Sequence, residues 1–585
     1  MRTLGTLVFL CGLLPTTPAL AQQAAELILH NGRVVTVDRN FRVVQAVAVA
    51  AGRIVAVGSD RQVLSLRGPK TRVVDLQGRM VLPGLIDSHV HPLGAALTEF
   101  DHPIPEMRSI ADVLEYIRQR TRVVPKGKWI VVRQVFITRL KERRYPTREE
   151  LDRAAPEHPV LFATGPDGSL NSLALRLSGI DKDFQVVGTG YIERDPKTGE
   201  PTGILRSCLR YVKAQPYQAR RPNHEQVLQR LELLLRDYAS VGLTTVADRS
   251  AGLNQQRRYQ ELLAEGRLPG RVMLSRSLNT SGTLEQIQAR IDQIARDPLR
   301  QGTLRLRIVG VKTFLDGGML TGSAYMRKPW GVSRIYGIRD PRYRGVRMIS
   351  EEMLPKIVRR VAEAGLQFTA HSVGDGAVHA LLEAYAQLPE SLRKQTRPCI
   401  THCNFMSREA VQQMAALGVV ADIQPAWLYL DTPTLLAQFG YKRLRYFQPL
   451  RSLFEAGAVA GGGSDHMQKI GSFRAINPYN PFLGMWVTIT RRGRDFQEPL
   501  HPEEALSRRQ AIRFYTINNA YLLFAERELG SLEAGKRADL IVIDRDLLRC
   551  PVDQIPKTQV LLTLVEGKVV HRHKSFPWPQ AKGGK

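Results

Sequence analysis

Pro83-Gly84-Leu85-Ile86-Asp87-Ser88-His89-Val90-His91-Pro92 is an apolar, strand-like run that ends in two histidines one residue apart. Side chains alternate across a strand, so His89 and His91 leave the same face, where two imidazoles can chelate one cation. A packed, hydrogen-bonded pair fits the same spacing, so the surroundings decide. Upstream, short β-branched runs at Leu27 to Val37, Ala46 to Ala50, Ile54 to Val57 and Val73 to Leu76 are punctuated by Asn31-Gly32, Ala51-Gly52 and Gln77-Gly78. That pattern predicts short antiparallel strands. It returns only near the other end, in Ala538 to Ile543 and in Val560 to Val570 around Glu566-Gly567. The expectation is one small β-sandwich domain made from residues 22–82 and 525–573, with the two histidines just where it gives way to the next unit.

That unit, residues 83–524, alternates short apolar runs with amphipathic helical patterns, the signature of parallel βα repeats. Over Gln226 to Ser240, residues Val227, Leu231, Leu234 and Tyr238 fall at steps of four, three and four, one helix face. Gly242 to Asp248 then reads as a buried strand ending in a polar group, and comparable strands end at Lys312, His371, His402, Gln424 and Asp465. Parallel strands with polar residues at their C-terminal ends predict an α/β fold, a (β/α)8 TIM-like barrel with its site on that face. Residues from about 98 to 220, rich in Pro and Arg, are too many for a loop and predict an insertion over the barrel mouth.

A chain that is 43% hydrophobic and 24% charged has the apolar material for a large core, which excludes a disordered protein. No apolar run of about twenty residues follows the N-terminus, which excludes a polytopic membrane protein. Met1-Arg2-Thr3, the apolar stretch to Leu14 and the small-x-small Ala19-Leu20-Ala21 predict a signal peptide, residues 1–21, and a secreted or periplasmic chain beginning at Gln22. The net charge, 83 − 55 = +28, raises nucleic acid or an anionic surface as partners. Its basic residues are scattered, apart from Lys141 to Arg144 and a basic tail over 574–585, and no nucleic-acid motif accompanies them. The expectation is therefore no nucleic acid, with association to an anionic surface as the lesser reading. Cys208, Cys399, Cys403 and Cys550 are too few and too scattered for a disulfide framework and read as packed thiols.

The His-x-His stretch together with Gly530-Ser531-Leu532-Glu533-Ala534-Gly535-Lys536-Arg537-Ala538-Asp539-Leu540-Ile541-Val542 resembles the amidohydrolase superfamily. That resemblance implies a metal-dependent hydrolase barrel with a β-sandwich from both termini. Val311 to Gly317, Ala370 to Asp375 and Gly463-Ser464-Asp465 are most similar to amidohydrolase family 3, the branch containing N-substituted formamide deformylases. Position by position, it implies His89, His91, Lys312, His371 and His402 as metal ligands, with Asp465 as catalytic carboxylate and part of the metal set. An ammonium cannot bind a cation, so Lys312 would serve only as a carbamate. Imidazole and carboxylate donors suit a divalent cation, zinc first, as one ion or two, with no organic cofactor.

The expected reaction is hydrolysis of a non-peptide C–N bond in a small-molecule amide. The cation lowers the pKa of water from about 15.7 to about 7, and Asp465 relays the proton to the departing amine. A cyclic amide is the alternative substrate, and a secreted binding protein on a decayed barrel the alternative class. Three positions depart from the family pattern: Thr401 before His402, Ser207 after Arg206, and the shortened Asp167-Gly168-Ser169-Leu170. All three are expected around the substrate pocket. His466, beside Asp465, is a lesser candidate for contact with substrate.

Overall fold

In the computed structural model, which describes residues 24–579 apart from 134, 166, 188 and 189, eight strands form one wholly parallel sheet. They are β1 (Leu85–Val90), β2 (Leu243–Ala251), β3 (Arg271–Ser277), β4 (Leu306–Phe314), β5 (Gln367–Ser372), β6 (Cys399–His402), β7 (Val420–Ile423) and β8 (Ala460–Gly462). Each pairs with the next in chain order. The two edges then meet. Val90 bridges His466 in parallel, while the backbone N–H of Asp465 donates to His89 O and that of His91 to His466 O, both at 2.8 Å. The sheet is thus closed into the TIM-like barrel that the alternating pattern predicts.

Burial on both faces explains why these strands read as near-continuous apolar runs: every residue of β1, β6 and β7 is buried. The helix before β2 spans His224–Ser240, with Asn223 and Gln226 forming a capping box at its start. It buries Leu228, Leu231, Leu234, Leu235 and Tyr238. Val227 is only partly buried, because the stripe is wider than the four residues first assigned to it and is shared with Leu228 and Leu235. Strand ends also differ from expectation. β2 runs past Asp248 to Ala251, β4 runs two residues past Lys312, and Gln424 and Asp465 sit in the loops beyond β7 and β8.

The sandwich draws on both ends of the chain. Met80–Pro83 pairs antiparallel with Leu540–Ile543 and parallel with Arg33–Val35 in a six-stranded sheet, which faces a four-stranded sheet of Ala25–His30, Ala46–Ala50, Arg53–Gly58 and Arg67–Asp75. Leu27, Leu29, Val47 and Val49 of one pack with Val34, Leu540, Val542 and Leu562 of the other. The run Leu27 to Val37 is therefore two strands in different sheets, broken at Asn31, whose φ is +55°.

Over the barrel mouth, residues 98–220 carry a five-stranded mixed sheet in the order Tyr191–Arg194, Pro201–Arg206, Asp167–Leu170, Val160–Thr164, Ile130–Arg133. It has its own core of Val113, Ile117, Val132, Leu151 and Phe162. No helix among the described residues is long and apolar enough to cross a membrane. The signal-peptide expectation, residues 1–21, and the last part of the basic tail lie outside the described residues.

Candidate active site

β1 delivers His89 and His91 to the C-terminal rim of the barrel, and β8 delivers Asp465 beside them. His91 Nε2 lies 3.2 Å from Asp465 Oδ1, and His89 Nε2 lies 3.5 Å from the same oxygen and 3.3 Å from His91 Nε2. His402, at the end of β6, stacks on His89 with ring centroids 5.2 Å apart. One donor atom each from His89, His402 and Asp465 all lie within 4.8 Å of one another. His371 on β5 meets the His402 ring edge-on at 4.5 Å, and Lys312 Nζ lies over the Phe314 ring at 5.3 Å. All six sequence-derived candidates line one cavity of about 1140 Å³.

What stands behind the imidazoles fixes which nitrogen faces that cavity. Asp422 on β7 lies 3.3 Å from His89 Nδ1. Burial pushes its carboxyl up, but the buried Arg249 guanidinium 3.6 Å away and the bond to His89 hold it below the ordinary value. An ionised Asp422 accepts a hydrogen bond from the Nδ1–H of a neutral His89 and leaves the Nε2 lone pair toward the cavity. Gln424 does the same for His402: its Oε1 lies 2.7 Å from His402 Nδ1, and its amide is oriented by donating to Asp422 Oδ1 at 3.0 Å. Ser88 Oγ donates to the same carboxylate at 2.6 Å and Thr401 Oγ1 lies 3.2 Å from its other oxygen.

Electrostatics agree with a cation-binding donor set. Burial pushes His89 down to about 4 and His371 to about 3, and His402 well below its usual value, so all three imidazoles are neutral at pH 7. Burial also pushes Lys312 down to about 8, against the pull of Asp465 and Asp422. For Asp465, burial raises the carboxyl, yet His89, His91 and Lys312 keep it below the ordinary value. Neutral imidazoles converging on an ionised carboxylate in a buried cleft are what a divalent cation requires, so these residues fit one. His371 has a further partner, with Nε2 3.3 Å from Gly317 O.

The backbone is shaped to bring these groups together. His402 and Asp465 have φ of +81° and +53°, the left-handed region that non-glycine residues avoid. At Gly463, a Cβ would sit 2.8 Å from His89 N and 2.9 Å from His89 Cβ; only glycine lets β8 approach β1 this closely.

Two expectations need correction. His466 does not face the cavity: its ring is buried, with Nδ1 2.7 Å from Tyr238 OH and Nε2 near the carbonyls of Gln468 and Lys469. Two ring nitrogens already committed to structure leave nothing for substrate. Thr401 lies behind the site, bonded toward Asp422 and Thr369, because an inward position below the strand end points into the barrel rather than above it. Asp167 and Ser207 do line the cavity. The site partner that sequence reasoning missed is Asp422. Its signal was present in Val419-Val420-Ala421-Asp422-Ile423-Gln424, two polar residues at alternate positions closing an apolar run. Among the described residues Cys208, Cys399, Cys403 and Cys550 are free, and burial pushes the Cys399 thiol up to about 12 and Cys403 above its ordinary value, so both stay protonated.

Residues 72–571 match the model of the amidohydrolase family. The chain belongs to the amidohydrolase family. Membership makes it a hydrolase acting on carbon–nitrogen bonds, with a small-molecule substrate. It is 30% identical over 558 residues to the N-substituted formamide deformylase of Arthrobacter pascens, covering 93% of this chain and 98% of that one. It is 25% identical over 558 residues to the putative amidohydrolase YtcJ of Bacillus subtilis, covering 93% and 99%. Among solved structures, an uncharacterized metal-dependent hydrolase from Pyrococcus horikoshii superposes with a TM-score of 0.63 at 20% identity, covering 90% of this chain and 99% of that one, which speaks for the fold.

Proposed function

We propose that the protein is an exported, metal-dependent hydrolase of linear amides, with His89, His91, His371, His402 and Lys312, the last as a carbamate, holding one or two divalent ions, zinc first, and Asp465 both touching the metal and moving the proton. The observation that carries the reading is the convergence of His89, His402 and Asp465 donors within 4.8 Å in a buried cleft. A divalent cation bound there supplies Lewis-acid activation of water and of a carbonyl oxygen. The chain's own residues do the rest. Asp422 and Gln424 hold the His89 and His402 rings in one tautomer. Asp465, kept ionised by its neighbours, takes a proton at a carboxylate oxygen and returns it to the departing amine.

Phe136, Met319, Tyr336, Ile338, Trp427 and Met467 line the same cavity. An apolar space this large suits an amide with a bulky apolar substituent, in keeping with the similarity to a deformylase of N-substituted formamides. Export rests on the sequence of residues 1–21, and N-terminal sequencing of the secreted protein is expected to read from Gln22.

The test is amine release from a panel of N-formyl and N-acyl amines by metal-loaded protein. Asp465→Asn keeps the shape and removes the base. General acid–base groups contribute about 10² to 10⁴ in rate, so turnover should fall at least about 100-fold while most metal is retained. Turnover that survives in the Asn variant would remove the relay. A panel without turnover, with tight ligand binding indifferent to Asp465→Asn, would leave a binding protein.

A further inference from the structure

Asp465 is held in its left-handed conformation from both sides. Its N–H donates to His89 O at 2.8 Å, and its carbonyl accepts from Asn477 Nδ2 at 2.9 Å. Asn477 is fully buried, and its Oδ1 lies 3.3 Å from Nη1 of Arg139. The amide orientation follows from chemistry: a guanidinium needs an acceptor and a carbonyl needs a donor, so only one face of Asn477 suits each.

Arg139 belongs to the segment laid over the barrel mouth, in the turn Ile137–Arg139. Its other donors grip the buried Asp431 carboxylate bidentately, Nε to Oδ1 at 2.9 Å and Nη2 to Oδ2 at 2.8 Å, a rigid geometry that lysine cannot copy. The guanidinium carbon also lies 5.1 Å from the Phe136 ring and 5.3 Å from Trp427, two walls of the cavity. A hydrogen bond from Thr434 Oγ1 to Thr138 O at 2.7 Å joins the same two segments without reaching Asp465.

We propose that Arg139 is a positioning residue for Asp465, acting through Asn477, so that the segment covering the barrel mouth sets the geometry of the proton relay. The inference rests on the reading of Asp465 as that relay. A left-handed aspartate persists because its surroundings over-determine it. Releasing its carbonyl frees the backbone to relax and swings the carboxylate away from His91, while the donors of His89 and His402 stay in place.

The experiment measures kcat, KM, metal content and thermal midpoint of metal-loaded Arg139→Met, Asn477→Leu, the double variant, Arg139→Lys and Thr434→Val, on an amide that the wild-type protein hydrolyses. Displacement of a reacting group by about 1 Å costs up to about 100-fold. Arg139→Met and Asn477→Leu should each lower kcat by about 10- to 100-fold with KM and metal content nearly unchanged. The double variant should be no worse than the weaker single one, Arg139→Lys should be intermediate, and Thr434→Val should keep wild-type kcat. Should Arg139→Met fail to fold, Asn477→Leu and Arg139→Lys carry the same comparison. Wild-type kcat in folded, metal-loaded Asn477→Leu, or losses that multiply in the double variant, would overturn the proposal while Asp465→Asn remains inactive. Full turnover in Asp465→Asn would overturn the relay itself and this proposal with it.

Discussion

Replacing Asp422 by Asn tests whether the imidazoles are held as ligands from behind. The carboxylate accepts from His89 Nδ1, Ser88 Oγ and Gln424 Nε2 and faces Arg249, both members of that ion pair being completely buried. Asparagine keeps the shape, removes the charge and brings a donor. If that donor faces His89 Nδ1, in the place of Oδ2, the ring must carry its proton on Nε2 and can no longer ligate through it, while the remaining amide oxygen still accepts from Gln424 Nε2 and leaves His402 held. Loss of such a supporting partner costs about 10- to 100-fold in metal affinity, which is about 1.4 to 2.8 kcal/mol.

A second cost falls on the fold, because a buried charge that loses its partner destabilises by about 3 to 5 kcal/mol. Arg249 retains bonds to Ser88 O at 2.9 Å and Ser275 Oγ at 2.8 Å, which favours the lower end. The assay is metal titration against a competing chelator, with urea unfolding of the metal-free protein alongside. Asp422→Asn that binds metal as tightly as wild type would refute the argument that Asp422 sets the His89 tautomer.

Two further outcomes follow from the buried charges. In the metal-free protein, His89 and His371 titrate near 4 and 3 instead of 6.5, so below pH 6.5 the unfolded chain binds protons that the folded one refuses. Stability is then fully present above about pH 6.5 and falls as the pH drops toward 4, by about 3 kcal/mol from His89 alone at about 1.36 kcal/mol per pH unit. Urea midpoints that are flat from pH 7 to 4 would contradict burial of neutral imidazoles. With Lys312 pushed down to about 8, about a tenth of its amine is uncharged at pH 7, against less than a thousandth at the ordinary 10.4. Reactivation of metal-free protein by metal should therefore depend on bicarbonate and speed up from pH 6.5 to 8.5. Equal rates with and without bicarbonate, together with a bare Lys312 amine in high-resolution density, would remove the carbamate.

Much of this arrangement was legible because barrel strands announce themselves twice, as apolar runs and through polar residues where those runs stop. His89, His91, His371 and His402 all stood at such stops, and the structure gathers them with Lys312 and Asp465 around one cavity. What escaped was lateral. Asp422 and Gln424 support rings on β1 and β6 from β7, a relation between strands far apart in sequence that alternation within one strand cannot show. The five-stranded sheet over the mouth escaped for another reason: its strands are four to six residues long, as in Ile130–Arg133 and Pro201–Arg206, too short for periodicity to rise above the Pro- and Arg-rich background. His466 misled because adjacency to Asp465 says nothing about direction. Its neighbour turns into the cavity, while its own ring turns out to Tyr238.

The most direct test of the account is the rate of amine release from N-substituted formamides by metal-stripped protein as a divalent cation is added back. The rate is expected to rise from near zero to a plateau at one or two ions per chain, and His89→Ala/His91→Ala protein, still folded, should stay at the baseline. Turnover that continues unchanged in excess chelator, or that is restored equally in the double variant, would contradict a metal-dependent hydrolase working at this cluster.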